Sequence, residues 1–436
     1  MEVSLWRILL CLSVAILIMV VLTARYRLHP FFALLICSFV MGTGLGMPVE
    51  TIIATVKDGF GHIMSALGLI IVLGTCLGVI LEKSGSTALM ANYILNRIGH
   101  NNVSAAMNLT GLIVGLPIFC DSGYIVLSGL GNSLSRRSGM PMAVVAGSLA
   151  CGLYAVHCMI PPHPGAAAAA GILGVEIGRL VLYGIIIAVP ASIAGWCWVR
   201  FSGKHDAPHQ QETGEQVAAS EQPGIAVFLP IILPIAMISL HSFTPEGTPG
   251  RFLGDPVIAL TAGILVALFR HIKTPTHSTI KTGTLLQEAA EKAGGILVII
   301  GAGGAFGAIL AKSGLGEQVS RSIDLGQWGL WLPFLITALL KTAQGSSTVA
   351  IITAATITAP LLPGLGLAGN DGPLLAVLAM GAGSMFLSHA NDAYFWVIAR
   401  FSEIDMKTMF RVYTVATFFM GITAFTVLLL LRMLLH

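Results

Sequence analysis

The chain has 436 residues, of which 55% are hydrophobic and only 10% charged, and its mean hydropathy is +0.86. That is more apolar surface than one soluble core can hide, which excludes an ordinary water-soluble domain and places the chain in a bilayer. The formal net charge of +3 comes from scattered basic residues and gives no basis for a nucleic-acid partner.

Apolar stretches of roughly 17 to 25 residues recur from Trp6 to Leu435, each long enough to cross about 30 Å of hydrocarbon. About ten to twelve can be drawn, so an all-α polytopic membrane protein is expected. The first, WRILLCLSVAILIMVVLT, has no small-x-small cleavage site after it and is read as a membrane helix rather than a removable leader. Arg25 and Arg27 follow it, and HPFFALL at 29–35 opens the next span. GVILEKSG at 78–85 closes a further one, with Lys83 expected to snorkel or cap carbonyls. In FCDSG at 119–123 the carboxylate of Asp121 sits in an oily run. The apolar run MAVVAGSLACGLYAVHC then meets MIPPHPG at 159–165, where three prolines in four positions must stop the helix at about Met159.

Residues 203–224, GKHDAPHQQETGEQVAASEQPG, are polar without apolar periodicity and read as a linker. Residues 1–202 and 225–436 on either side match in three ordered places. GVILEKSG at 78 recurs as GAILAKSG at 307, a step of 229, and LACG at 149 recurs as LAMG at 378 with the same step. HPFFALL at 29 is echoed by DPVIALT at 255. Basic residues collect at cytoplasmic ends. Arg25 and Arg27 put the far end of the first span inside, and Arg270, Lys273 and Lys281 do the same for the second span of the second half. The matching end in the first half, MGTGLGMPVE, has no basic cluster. Two inverted repeats are therefore expected, with both termini outside and the linker inside, an arrangement that favours a carrier.

Carriers of this kind bind at interrupted helices, where free backbone groups hold an anion. Four interruptions are expected, at FCDSG, MIPPHPG, AQGSSTV (343–349) and LSHANDAY (387–394), with His163 and Asp392 at equivalent places one 229-residue step apart. Substrate contacts are expected from Ser122, Gly123, His163, Gly345, Ser346, Ser347, Thr348 and Asn391, since small residues admit a ligand and hydroxyls bond a polyhydroxylated or carboxylated solute. Small-residue helix packing is the alternative for the hydroxyl run, and a loop already at the interface for MIPPHPG. Asp121, Asp392 and His157 are the candidate proton sites, because an ionisable group at membrane depth usually faces a cavity and works there. Structural alternatives are a pairing of Asp121 with Lys341 or His163, and a core role for His157. The seven cysteines show no metal-type spacing, so no metal site, disulfide framework or cofactor is expected.

At HPFFALL, FCDSGY, AVHCMIPPHPG, IGAGGAFGAIL, QGSSTVAIITA and SHANDAYFW the chain resembles the gluconate/proton symporter family of bacterial inner-membrane permeases, nearly end to end. The resemblance implies a two-repeat fold of the broader ion transporter superfamily with re-entrant hairpins, and proton-driven uptake of gluconate, related sugar acids or D-serine. It carries the family's acid position onto Asp121, its proline-histidine loop onto Pro161 to Pro164, its hydroxyl loop onto Gly345 to Thr348 and its Asn-Asp pair onto Asn391 and Asp392. Where family members tend to have Glu then Val, this chain has Asp121 then Ser122, a departure that leaves the substrate at the level of a small hydroxylated carboxylate. An anion channel, sodium in place of the proton, and D-serine as cargo are the competing readings. No G-x-S-x-G or H-E-x-x-H spacing supports an enzyme. The expected partners are the anionic solute, protons and membrane lipid, and Gly- and Ala-rich helix faces would permit a homodimer without requiring one.

Overall fold

The computed structural model describes residues 4–99, 102–203, 224–245, 248–273, 282–315, 318, 326–369 and 371–435, and its regular elements among these are all helical. The first half runs α1 (Leu5–Val20), α2 (Pro30–Gly44), α3 (Val49–Lys83), α4 (Ser86–Ile98), α5 (Val103–Val114), α6 (Cys120–Ser138), α7 (Met142–Met159), α8 (Pro164–Leu173) and α9 (Ile177–Gly203). The second runs α10 (Leu229–Phe243), α11 (Pro249–Leu253), α12 (Pro256–Lys273), α13 (Thr282–Lys312), α14 (Trp331–Gln344), α15 (Ser347–Thr358), α16 (Gly372–Met385), α17 (Ala393–Phe401), α18 (Met406–Met409) and α19 (Val415–Leu435). Residues 204–223 of the expected linker, and Lys281, lie outside the described residues.

Six described helices are long and apolar enough to cross a membrane, counting α7 and α8 across their break, and six apolar helices are shorter. The ten to twelve apolar runs are thus present, but about half are cut short of a full span. Large apolar side chains such as Trp6, Leu10, Leu265, Leu339 and Leu434 point outward and are more than half exposed, as a lipid-facing surface requires.

The four breaks fall where the sequence places them: residues 115–119 between α5 and α6, 160–163 between α7 and α8, 345–346 between α14 and α15, and 386–392 between α16 and α17. Packing repeats with them. α5 lies on α7 as α14 lies on α16, and α6 meets α17 as α15 meets α8. The long helices α3 and α13, of 35 and 31 residues, are about 50 Å each and form the central contact. They run antiparallel: Lys83 at the end of α3 pairs with Glu288 near the start of α13 at 3.2 Å, and Lys312 at the end of α13 donates to Thr55 near the start of α3 at 3.4 Å. Lys83 was expected to snorkel or cap carbonyls; it and Lys312 each reach the opposing helix.

Close approach of α3 and α13 is set by two glycines. A Cβ on Gly59 would collide with the Gly304 carbonyl, and one on Gly304 with the Gly59 carbonyl. Gly61, on the same helix, faces open space. We expect Gly304→Val to force the helices apart and lower the thermal unfolding temperature of the detergent-purified protein, by the equivalent of about 1–3 kcal/mol or more. Gly61→Ala should leave that temperature unchanged or raise it, since alanine favours a helix by about 1 kcal/mol. Equal melting temperatures for the two variants would contradict glycine-limited packing.

Candidate functional site

The four breaks converge. At the first, Pro117 lacks a backbone N–H and α6 restarts at Cys120 with Asp121 in its first turn and no side chain capping it. At the second, α7 stops at Met159, as the prolines demand, and His163 stands at the N-cap of α8. At the third, α14 ends at Gln344 and the chain turns through Gly345 at φ 83°, a left-handed value that favours glycine. The Asn391 carbonyl lies against Gly345 where a Cβ would be, so the third and fourth breaks touch. Ser346 then caps α15, its hydroxyl accepting from Val349 N at 3.3 Å, and Asp392 caps α17, its Oδ1 accepting from Tyr394 N at 3.0 Å.

Between the breaks lies a cavity of about 520 Å³. Its wall includes Asp121 and Ser122 of α6, His157 of α7, Gly345, Ser346, Ser347 and Thr348 of the third break, Asn391 and Asp392 of the fourth, and Lys292 of α13. Two expected contact residues do not reach it. Gly123 is buried against Leu153 behind the wall. His163 is fully buried, and its Nε2 lies 2.7 Å from the Gly115 carbonyl. A carbonyl only accepts, so Nε2 carries the proton and the ring ties the second break to the first.

The second half builds the same tie from an ion pair. Asp392 Oδ2 accepts from Lys341 Nζ at 2.6 Å and from Ser388 Oγ at 2.5 Å, and Lys341 also donates to the Gly345 carbonyl. Lys341 is completely buried. The alternative that pairs Asp121 with Lys341 or His163 is therefore corrected: both candidates are engaged elsewhere, by a carboxylate closer to Lys341 and a carbonyl in reach of His163. Asp121 is exposed to the cavity, forms no ion pair among the described residues, and accepts a hydrogen bond from the Cys120 thiol at 3.8 Å. His157 lies with its ring 4.9 Å from that of His163, and its Nδ1 has no hydrogen-bond partner. Tyr154 of α7 joins the halves, donating to the Ser384 carbonyl at 3.0 Å and accepting from Ser347 at 2.8 Å.

Sequence reasoning passed over Gln344 and Lys292, and met Lys341 only as a partner for Asp121. A lysine near the end of the apolar run WLPFLITALLK was the signal for the ion pair, since a buried cation demands a buried anion. A second cleft, of about 480 Å³, lies at the other end of the α3–α13 pair, between Asp58, Gly59, His62 and Ile63 of α3 and Gly304 and Gly307 of α13. Ile63 in its wall is one 229-residue step from Lys292 in the wall of the first.

A profile of the GntP family permeases matches residues 7–434. The chain belongs to that family. Among curated relatives it is 34% identical to a gluconate permease of Pseudomonas aeruginosa, over 98% of both chains, and 31% identical to a gluconate permease of Zymomonas mobilis, over 96% of both. It is also 31% identical to the D-serine transporter DsdX of Escherichia coli, over 95% of both. Among solved structures it resembles the YdaH transporter of Alcanivorax borkumensis, with a TM-score of 0.61 at 19% identity over 87% of each chain. MtrF of Neisseria gonorrhoeae gives 0.59 at 16% identity over 87% of this chain and 83% of that one, and both likenesses concern the fold. The protein is thus a multi-pass membrane transporter rather than an enzyme, as the interrupted helices led one to expect.

Removing one member of a buried ion pair strands the other, at a cost of about 3–5 kcal/mol. Lys341→Met should accordingly melt well below the wild type in detergent. Lys341→Met with Asp392→Asn, which removes the stranded charge and keeps an oxygen to cap α17, should recover most of the loss. A single variant as stable as the wild type would show that the pair does not hold the third and fourth breaks together.

Proposed function

We propose that this permease takes up a small hydroxylated carboxylate with a proton across the bacterial inner membrane, through two inverted repeats, residues 1–202 and 225–436, joined by a cytoplasmic linker at 203–224. The observation that carries the reading is Asp121, a carboxylate with no ion pair among the described residues, in the wall of the cavity that lies between the breaks. An anion entering that cavity meets a like charge in a low-dielectric surround, and two such charges repel strongly. Protonation of Asp121 removes the repulsion, so anion and proton travel together and leave together. His157 is the second candidate proton site. Asp392, committed to Lys341, Ser388 and Tyr394 N, would release its ion pair to take a proton and serves better as a clamp.

Substrate contacts are assigned to Ser122, Gly345, Ser346, Ser347, Thr348 and Asn391, with Gly123 and His163 holding the wall from behind. Inversion is supported by the antiparallel packing of α3 and α13, which carry the matched segments GVILEKSG and GAILAKSG. Spanning helices related by an axis along the membrane normal would run parallel. The basic ends at Arg25, Arg27 and Arg270 support a mouth beside Pro30 and Lys292 that faces the cytoplasm. The relatives named as gluconate permeases favour a sugar acid. The likeness to a D-serine transporter supports a second reading, a hydroxylated amino acid, and Ser346 and Asn391 with backbone carbonyls would accept sodium as the coupling ion.

Asp121→Asn mimics a carrier with its proton always in place. In proteoliposomes it should lose uptake against a gradient while still exchanging internal for external gluconate, with exchange less dependent on pH than in the wild type. Accumulation of substrate by the Asp121→Asn variant would move the proton site elsewhere. Imposed proton and sodium gradients, tested separately with gluconate and D-serine, decide the coupling ion and the cargo class.

A further inference from the structure

Gln344 has a chemistry that the tie between the breaks does not use. It closes α14 at the cavity wall, is 9% exposed, and neither Oε1 nor Nε2 of its carboxamide has a hydrogen-bond partner although both atoms are buried. Buried polar groups are almost always paired, and one left unpaired at a cavity is complete only when something in the cavity pairs it. Two neighbours are each partly committed, Asn391 Nδ2 donating to the Thr342 carbonyl at 2.7 Å and the Ser346 hydroxyl accepting from Val349 N at 3.3 Å, whereas neither polar atom of the Gln344 side chain is.

Among the described residues Lys292 is the only lysine or arginine in the cavity wall. It is about one-third exposed, and its ammonium reaches Glu288 at 3.2 Å and Glu82 at 3.5 Å in a cluster that Lys83 completes through Glu288. Three donors on one flexible stem can keep a glutamate and still take a further carboxylate. At the equivalent place in the second cleft stands Ile63, which cannot.

We propose that Gln344 reads a hydroxyl of the transported solute while Lys292 receives its carboxylate, an assignment that rests on the uptake reading above and names the side chains that recognise its two groups. A hydroxyl offers one donor and two lone pairs, so it satisfies Oε1 and Nε2 in turn, which neither an alkyl chain nor a second carboxylate does. A site built to bond a hydroxyl rejects the analogue without it far more strongly than an apolar pocket rejects an extra methylene, because the protein's own polar atoms are left bare.

The test is binding to the purified full-length protein by calorimetry, with gluconate, hexanoate (no hydroxyls) and gluconamide (no charge) as probes. Gln344→Leu should weaken gluconate about 10- to 100-fold and leave hexanoate unchanged. Lys292→Gln should weaken gluconate and leave gluconamide unchanged, while Lys292→Arg retains gluconate. Because the Gln344 carboxamide bonds nothing among the described residues, Gln344→Leu or Gln344→Met should melt no lower than the wild type without ligand; a structural role would lower the melting temperature of both. Parallel weakening of gluconate and hexanoate by Gln344→Leu, or no weakening of either, overturns the assignment. Wild-type protein that binds both acids equally overturns it while leaving acid uptake intact, whereas wild-type protein that binds D-serine and neither acid overturns the sugar-acid reading itself.

Discussion

A lysine ammonium with no exposed surface, held between the carboxylate of Asp392 and the carbonyl of Gly345, is the contact on which the site is built. Lys341 belongs to α14, Gly345 to the turn that ends it, and Asp392 to the break before α17, so one side chain ties a helix to two pieces of non-helical backbone. Such backbone survives in a bilayer only where protein or a cavity meets its polar groups. The first half solves the same problem with a neutral group: His163, one 229-residue step before Asp392, bonds the Gly115 carbonyl at the turn after α5. The two ties are equivalent in place and different in charge. The charged one leaves the unpaired carboxylate of Asp121 as the free anion of the cavity, which is why the proton is assigned there.

Around these ties the two long helices α3 and α13 pack antiparallel, as two inverted repeats would require. The antiparallel contact of α3 and α13 puts a cleft at each end, one beside Lys292 and one beside Ile63, and the broken helices lie between. Two clefts at opposite ends of one barrier suit a carrier that opens to each side in turn. They differ in chemistry as well as position, since only the first is lined by a cation, hydroxyls and a free carboxylate together.

Much of this was legible in the sequence. Prolines 161, 162 and 164 announced the end of α7 at about Met159, where it falls, because a missing N–H and a blocked φ act locally. The matched segments GVILEKSG and GAILAKSG close the two long helices α3 and α13, and His163 and Asp392, one 229-residue step apart, each stand at a helix N-cap. What distance in sequence hides is pairing. Nothing local tells Lys341 that its partner is 51 residues away at Asp392 rather than at Asp121, and the choice is made by how α14 packs on α16. Gly123 looked like part of the site because its neighbours are, but helical rotation turns it onto Leu153. Gln344 and Lys292 escaped notice for the opposite reason: a glutamine after a helix and a lysine on a long one are unremarkable until a cavity is seen beside them.

The central claim is that the two like halves lie in the membrane in opposite senses, so that equivalent ends face opposite compartments. Single cysteines at Glu50, in the first turn of α3, and at Gly283, in the first turn of α13, are both exposed positions and test it in a cysteine-free background whichever way the cavity is open. With a membrane-impermeant thiol reagent, the cysteine at 50 should react in right-side-out vesicles only and the cysteine at 283 in inside-out vesicles only. Reaction of both from the same side would contradict the inversion, and with it the account of how the cavity reaches each face of the membrane.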